Sequence, residues 1–511
     1  MRVNFSHSLA TTLVLLLLAA GGVTYWILQG RAQVYPDAPS GEFACLSYTP
    51  RHSSDVMADI HAQIERDLQQ LSGRTHCVRT YSVTRGLDHV PVVARKLGMR
   101  VLLGIWIGTD AASNELEIKR ATELAAEYRD IIDVIIVGNE VLLRREQSAD
   151  ALYELLQRVR TATQLPVTYA DVWEFWTRNP RLAEVSDQIT IHILPYWEDQ
   201  PIGVDHAMDH VQSIYRIVQQ KFPDKRIFVG ETGWPSEGRQ REEARPSLLN
   251  QARFAREFMA LANELQLPYN FIEAYDQTWK KGLEGTVGGY WGLYDAQSRE
   301  KFPLTGPVVA DHHWWRGIVA GLGVAALLFG IARFRLKFNT GAQLQCAVAG
   351  LALGSIGVMQ WDYLWQANRN LTEWLVMGSW TLLVDALFLL LLLDVQQRYT
   401  RWRGALLMLM LVSLAYINLG LTFNARYRDF PSVFLMLPTA LLLVRGFAPT
   451  NLARRSDGVL MGVWLVIAAV AIAILEGGSN ESALLWCGLC GLLGLRLLFD
   501  HRRFAAATRQ Q

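Results

Sequence analysis

Two stretches of this sequence end a smooth apolar run in glycine and then present a carboxylate: "VIIVGNE", closing on Glu140, and "IFVGETGWPS", with Glu231 near its centre. A glutamate at such a position can attack carbon, release a proton or take one, according to its surroundings. Two carboxylates facing each other about 5–5.5 Å apart suit the retaining cleavage of a glycosidic bond. One attacks the anomeric carbon; the other protonates the departing oxygen and then deprotonates the acceptor in a second step. The acid needs surroundings that raise its pKa. The nucleophile needs donors that keep it ionised, and Arg79, Lys280 and a tyrosine hydroxyl are the candidates. A lone glutamate at a strand end is more often a solvated or salt-bridged group. Two in matched positions shift the balance toward chemistry.

Pairing them requires elements that bring their ends together. Between about residues 43 and 308, short β-rich runs alternate with amphipathic helical patterns. The runs are 43–48, 77–82, 101–107, 134–137, 167–170, 189–195, 227–230 and 270–275, and helical spacing is plain in 55–71, 114–128, 151–161 and 252–265. Strand-then-helix eight times is the requirement of a (β/α)8 TIM barrel, which takes ~250 residues. An open doubly wound sheet is the alternative, but "LSYTPRHSS" after the first run lacks glycine for a phosphate turn. A barrel builds its site at the C-terminal ends of its strands. There lie Tyr48, Arg79, Tyr81, Trp106, Asn139, Glu140, Asp171, His192, Tyr196, Glu231, Glu273, Asp276, Trp279 and Lys280. Glu140 ends strand four and Glu231 strand seven, on opposite sides of an eight-stranded ring. Trp173, Trp176, Tyr196, Trp197, Trp234, Trp279, Tyr290 and Trp291 crowd the same tips and offer flat surfaces for sugar rings.

The motifs carry a resemblance as well. "IFVGETGWPS" resembles the nucleophile signature of glycoside hydrolase family 17, the β-1,3-glucanase family, and "VGNE" resembles its acid/base segment. "FIEAYDQTWKKGLEGTVGGYWGLYD" is similar to the strand-eight segment of fungal and bacterial members, departing at Gln277 and Thr278, where Glu-Pro is common. The resemblance covers about 43–305. It implies Glu231 as nucleophile, Glu140 as acid/base, Asn139 on the sugar 2-hydroxyl and Tyr196 as an aromatic beside the nucleophile. With the tip residues it gives a candidate substrate-binding set of Asn139, Tyr48, Arg79, Tyr81, Tyr196, Trp234, Glu273, Trp279, Lys280 and Trp291. It implies a β-glucan polysaccharide or oligosaccharide as substrate, with no cofactor or metal. Family members both hydrolyse β-1,3-glucans and elongate or branch them, so transglycosylation and plain hydrolysis both stand. A non-catalytic glycan sensor or transport component is the alternative of another class, and the presence of both glutamates speaks against it.

The 511 residues carry 49 Lys+Arg against 48 Asp+Glu, a balance that suggests no nucleic-acid partner. The charges are unevenly spread. Residues 9–28 form an apolar run near the ~20 residues of a membrane helix, long for a cleaved signal segment. From about 317 onward come seven more: 317–334, 341–360, 373–393, 404–423, 431–447, 459–476 and 482–499. Basic loops at Arg333, Arg335 and Lys337, at Arg398, Arg401 and Arg403, at Arg454 and Arg455, and at Arg502, Arg503 and Arg509 alternate with loops holding Arg369, Arg426 and Arg428, and the 476–481 segment without a basic residue. The positive-inside rule then gives eight spans, both termini cytoplasmic, and an extracytoplasmic barrel, as in a bacterial inner membrane with a periplasmic domain. The expected organisation is an anchor over 1–30, a linker over 31–42, the barrel over 43–308, an all-α transmembrane region over 309–500 and a tail over 501–511. A lipid bilayer is the implied partner, and a glucan synthase or export machinery a further one. The chain itself is no synthase: Gln397 to Trp402 has one residue too many for Q-x-x-R-W, and no cytoplasmic loop could hold a nucleotide-sugar domain.

Five cysteines make no disulfide framework. The strand reading points one of Cys45 and Cys77 outward and the other inward, which disfavours a bond between them. Cys487 and Cys490 read as small packing residues within a span. Asp385, inside the fourth span, reads as a partner for a polar group on a neighbouring helix. Asp205, His206, Asp209 and His210 share helical spacing and read as a solvated face.

Overall fold

The computed structural model describes residues 5–50, 57–393, 399–423, 428–447 and 456–509. Seven strands, β1 (Leu46–Ser47), β2 (Cys77–Arg79), β3 (Arg100–Ile105), β4 (Ile132–Asn139), β5 (Val167–Val172), β6 (Gln188–His192) and β7 (Arg226–Glu231), pair in parallel and in sequence order. The eighth position is held by residues 269–271: Tyr269 bridges Val229 of β7 and Phe271 bridges Leu46 of β1, so the ring closes. The fold is the expected (β/α)8 barrel. Between strands run helices such as Ala111–Glu127, Ala149–Thr163 and Leu248–Leu265. Each begins where a side chain satisfies a free backbone N–H: Asp110 accepts from Ser113, Ser148 from Ala151 and Ser247 from Asn250.

Period-two alternation sorts the strand residues. Val78, Val101, Leu103, Ile135 and Val137 point outward into the main core under the helices. Cys45, Cys77, Leu102, Val134, Ile136, Ala170 and Phe228 form a second buried cluster inside the ring. This corrects the reading of the cysteines. The register puts Leu46 opposite Val78, so Cys45 and Cys77 stand side by side on the same inward face and are joined by a disulfide. The pairing of β4 with β5 slips between Ile136 and Asn139, and Gly138 (φ 86°) and Glu140 (φ 50°) both take left-handed backbone conformations. A local irregularity of this kind re-aims side chains at a strand end, and here it turns Asn139 and Glu140 into the mouth.

Among the described residues, seven helical segments are long and apolar enough to cross a membrane: Leu9–Gln29, Trp315–Arg335, Thr340–Ala367, Leu371–Leu393, Thr400–Phe423, Ser456–Glu476 and Glu481–Arg503. The expected span at 431–447 differs. It holds a 3-10 turn, Ser432–Phe434, and a helix of only 10 residues, Met436–Arg445. At 1.5 Å per residue that is about 15 Å, half a bilayer's hydrocarbon core. Pro431 and Pro438 lack the N–H groups needed to extend it upstream, and Gly446 (φ 76°) stops it downstream. The expected tail from 501 continues the last helix, which runs Glu481–Arg509. Arg398, Arg426, Arg454 and Arg455 of the charge pattern, and Gln397, lie outside the described residues. Gln360 donates to Asp385 across two helices at 3.2 Å, the polar partner expected for an intramembrane acid. Cys487 and Cys490 are free and buried.

The barrel meets this helical region through segments that follow the C-terminal ends of its strands. The segment after β7 carries Arg239, which pairs with Glu476 and donates to the Arg428 carbonyl. Asn480 donates to the Gln240 carbonyl at 2.9 Å, and Thr286 donates to Asp429. Lys281 donates to the carbonyls of Gln366 and Asn368 at 3.0 and 3.2 Å.

Candidate active site

The ends of β4, β6 and β7 bring together Glu140, His192 and Glu231. His192 Nδ1 lies 3.1 Å from Glu140 Oε1 and its Nε2 lies 3.6 Å from Glu231 Oε1. One oxygen of each carboxylate lies within 4.8 Å of the other. Arg79, fully buried, fixes the Glu231 side: it donates to Glu231 Oε1 at 3.3 Å, to the Gly230 carbonyl at 2.6 Å and to Asn139 Oδ1 at 2.5 Å. The first of the expected donors therefore meets Glu231 directly. Lys280 instead pairs with Glu273, at 2.9 and 3.0 Å. Glu140, Glu231 and His192 also have the composition of a metal-ligand set. The guanidinium of Arg79 beside Glu231 opposes a cation at that spot.

The room for His192 is made by Gly230. A Cβ on Gly230 would meet Thr190 Cγ2 at 2.6 Å and the His192 ring at 3.2 Å. His192 also corrects the expected proton affinity of the acid. Burial raises the Glu140 carboxyl, but the hydrogen bond and charge of His192, helped by Arg144 and Arg79, outweigh it and hold the group below the ordinary range. Around the pair the burial effect prevails. It pushes Glu273 up to about 7 against the pull of Lys280, and Asp171 up to about 6. It raises Glu284, to which the charges of Glu231 and Glu140 add. Burial also drives the Tyr81 hydroxyl well above its usual range, with the Glu231 charge adding to the effect; Tyr81 stacks under Arg79 at 4.6 Å and bonds Ser47.

Several expected sugar contacts face elsewhere. Tyr48 is fully buried and donates to Asp67 of the helix Met57–Leu71 at 3.0 Å, outside the ring. Its neighbour Ser47 points inward, so alternation sends Tyr48 outward. Trp234 and Trp176 are also fully buried, bonded through their indole N–H to Arg245 and Thr190 carbonyls. Trp234 therefore packs behind the wall rather than offering a face to a sugar. Tyr196 is buried as well, donating to the Arg239 carbonyl at 2.7 Å. Trp291, 3 % exposed, stacks on the more open Trp197 at 6.5 Å. The most exposed aromatics among the tip residues named above are Trp279 (53 % exposed) and Trp106 (40 %), the latter under Arg144 at 4.4 Å. Asp205 and His210 of the polar face pair with Arg253 and Glu198, not with each other. His192 stands at a strand tip in "IHILPYW", where the inward alternation after Thr190 was the signal for its position. Glu284 had no such signal, because it follows the irregular eighth position.

Residues 45–292 match the family model of the BtgE/BtgC glycoside hydrolase domain. A glucan 1,3-beta-glucosidase of Schizosaccharomyces pombe is 28% identical over 273 residues, covering 50% of this chain and 82% of that protein. The glucan 1,3-beta-glucosidase of Saccharomyces cerevisiae is 24% identical over 262 residues, covering 47% and 84%. Among solved structures, the glycoside hydrolase family 17 beta-1,3-glucanosyltransferase of Rhizomucor miehei overlays with a TM-score of 0.46 at 22% identity, covering 50% of this chain and 95% of that one.

Proposed function

We propose, from the premise that residues 45–292 form a BtgE/BtgC-type glycoside hydrolase domain, that this is a membrane-bound, retaining enzyme of β-1,3-glucan. The observation that carries the reading is the approach of the Glu140 and Glu231 oxygens to within 4.8 Å, near the ~5–5.5 Å between carboxyls of retaining enzymes. Glu231 attacks the anomeric carbon as the glycosidic C–O bond breaks, and Glu140 gives its proton to the departing oxygen. Glu140 then takes a proton from the incoming hydroxyl, which attacks the glucosyl–Glu231 ester and frees the carboxylate. Water as the acceptor gives hydrolysis; a sugar hydroxyl gives elongation or a 1,6 branch.

Transfer is favoured by the seven apolar helices that would tie the barrel to a bilayer, since remodelling of a glucan made or exported nearby needs a fixed enzyme. The charge pattern supports a barrel outside the cytoplasm, with an export or synthesis machine as neighbour. The test is incubation of the full chain with β-1,3-gluco-oligosaccharides, the products resolved by size and linkage. Products longer than the donor mark transfer; only shorter ones mark hydrolysis. Glu231→Gln should abolish both, and full retained activity would remove Glu231 from its role.

A further inference from the structure

Where the segment after β7 meets the helical region, the two halves enclose a cavity of about 120 Å3. Its walls include Glu237, Arg239 and Thr286 from the barrel and Tyr363, Gln366 and Asp429 from the helical side. We propose that this cavity is a sugar-binding subsite, taking one glucosyl unit of a β-glucan chain whose reacting end lies at Glu231. It rests on the β-glucan reading above.

The chemistry of the lining selects a neutral, hydroxyl-rich ligand. Some donors around the cavity are used: Arg239 on Glu476 and the Arg428 carbonyl, and the Gln240 amide N–H on the carbonyls of Glu242 and Ser479. The Tyr363 hydroxyl and the Gln366 amide line it as further donors, and two acceptors are open as well. Among the described residues Glu237 forms neither an ion pair nor a hydrogen bond. Asp429 accepts from Thr286 through Oδ2 while its enclosed Oδ1 has no partner. Burial pushes the Glu237 carboxyl up to about 7 and raises Asp429. Sugar hydroxyls supply the missing donors without bringing charge, whereas a phosphate or an acidic headgroup would meet two carboxyl groups. Tyr363 and Phe430 add the aromatic surface that a pyranose face needs. The volume is well under the ~300 Å3 at which drug-sized pockets begin, which suits one ring and excludes a lipid tail.

Its place along the chain fits a substrate that runs out of the mouth. Thr286 lies two residues beyond Glu284, whose carboxyl senses the charges of both Glu231 and Glu140. Glu237 follows Glu231 by six residues on the same segment. The cavity is a built feature: the Arg239–Glu476 pair, the Asn480–Gln240 bond and the Thr286–Asp429 bond hold its two walls together.

The test uses the full chain with Glu231→Gln in lipid nanodiscs, titrated calorimetrically with β-1,3-gluco-oligosaccharides of increasing length. Affinity should rise with length, and adding Glu237→Ala with Asp429→Ala should cancel that rise. Roughly tenfold weaker binding of the longest ligand is expected, with the disaccharide unaffected. Asp429→Ala also removes the Thr286 bond across the joint, so the thermal unfolding of each variant is measured beside its binding. Glu237→Gln with Asp429→Asn, which keeps an acceptor for Thr286, should keep the parent's Tm and still lose part of the affinity for the longest ligand. A full rise with length in that variant would overturn the subsite. Unchanged affinity at every length would overturn the subsite. So would calcium, added alone, producing binding heat that the same variants remove. If the parent binds no oligosaccharide at all, the β-glucan reading itself fails, an outcome separate from the other two.

Discussion

At the scale of single residues, His192 bears most directly on Glu140. Its hydrogen bond and charge lower the Glu140 carboxyl, and in the proposed mechanism Glu140 works as an acid only while protonated. The rate kcat/KM, which reports the free enzyme, should therefore fall as pH rises through that lowered value. Replacing His192 by Phe removes both donor and charge, so the falling limb should move to higher pH; a pH profile of kcat/KM for the two proteins checks the direction. Glu140→Gln should cost about 10²–10⁴ in rate, measured on the same oligosaccharides. That Glu140 and Glu231 come together was legible in the sequence, because each stands just past a glycine that ends an apolar run. Tyr48 and Trp234 were misread because a place at a strand tip does not say which way a side chain points. Tyr48 obeys the alternation set by Ser47, and Trp234 belongs to a turn that folds back onto Phe254.

At the scale of elements, the joint between β6 and β7 is closely packed. A methyl at Gly230 would drive into Thr190 and His192. Gly230→Ala should destabilise by about 1–3 kcal/mol and displace His192, read as a lowered Tm together with a changed pH profile. The disulfide between β1 and β2 is a second joint. Alkylation without reductant should leave Cys45 and Cys77 blocked and Cys346, Cys487 and Cys490 reactive once unfolded. Replacing both cysteines by Ala should cost about 2–4 kcal/mol, measured by thermal unfolding. The eight-fold strand–helix rhythm was readable from periodicity. The disulfide was not, since it depends on the register between two strands of only two and three residues. The segment 431–447 holds only a short helix, which hydropathy misses because it sums side chains and is blind to the backbone N–H groups that two prolines lack. Its ends still reach opposite ends of the helical region, Asp429 meeting Thr286 of the barrel and Arg445 donating to the Leu391 carbonyl.

At the scale of the whole molecule, the barrel and the helical region share buried charge. Arg239 is 6% exposed and Glu476 9%. Breaking such a pair from one side leaves a stranded charge, so Glu476→Ala should destabilise the full chain by about 3–5 kcal/mol. The double change Arg239→Met with Glu476→Leu should stay near the parent, and denaturation of both in the same lipid discs decides it. The barrel also enters and leaves the helical region at one place: Gln33 pairs with Val308, and Trp26 donates to the Ser355 carbonyl at 2.9 Å across 329 positions of sequence. That closure has a consequence during synthesis. At ~5–20 residues per second, the helix Phe5–Gln29 waits roughly 15–60 seconds before the ribosome delivers Arg316 and Gly317, which cover Trp26. Throughout that interval the nascent chain holds one helix unpaired while an entire barrel folds beside it.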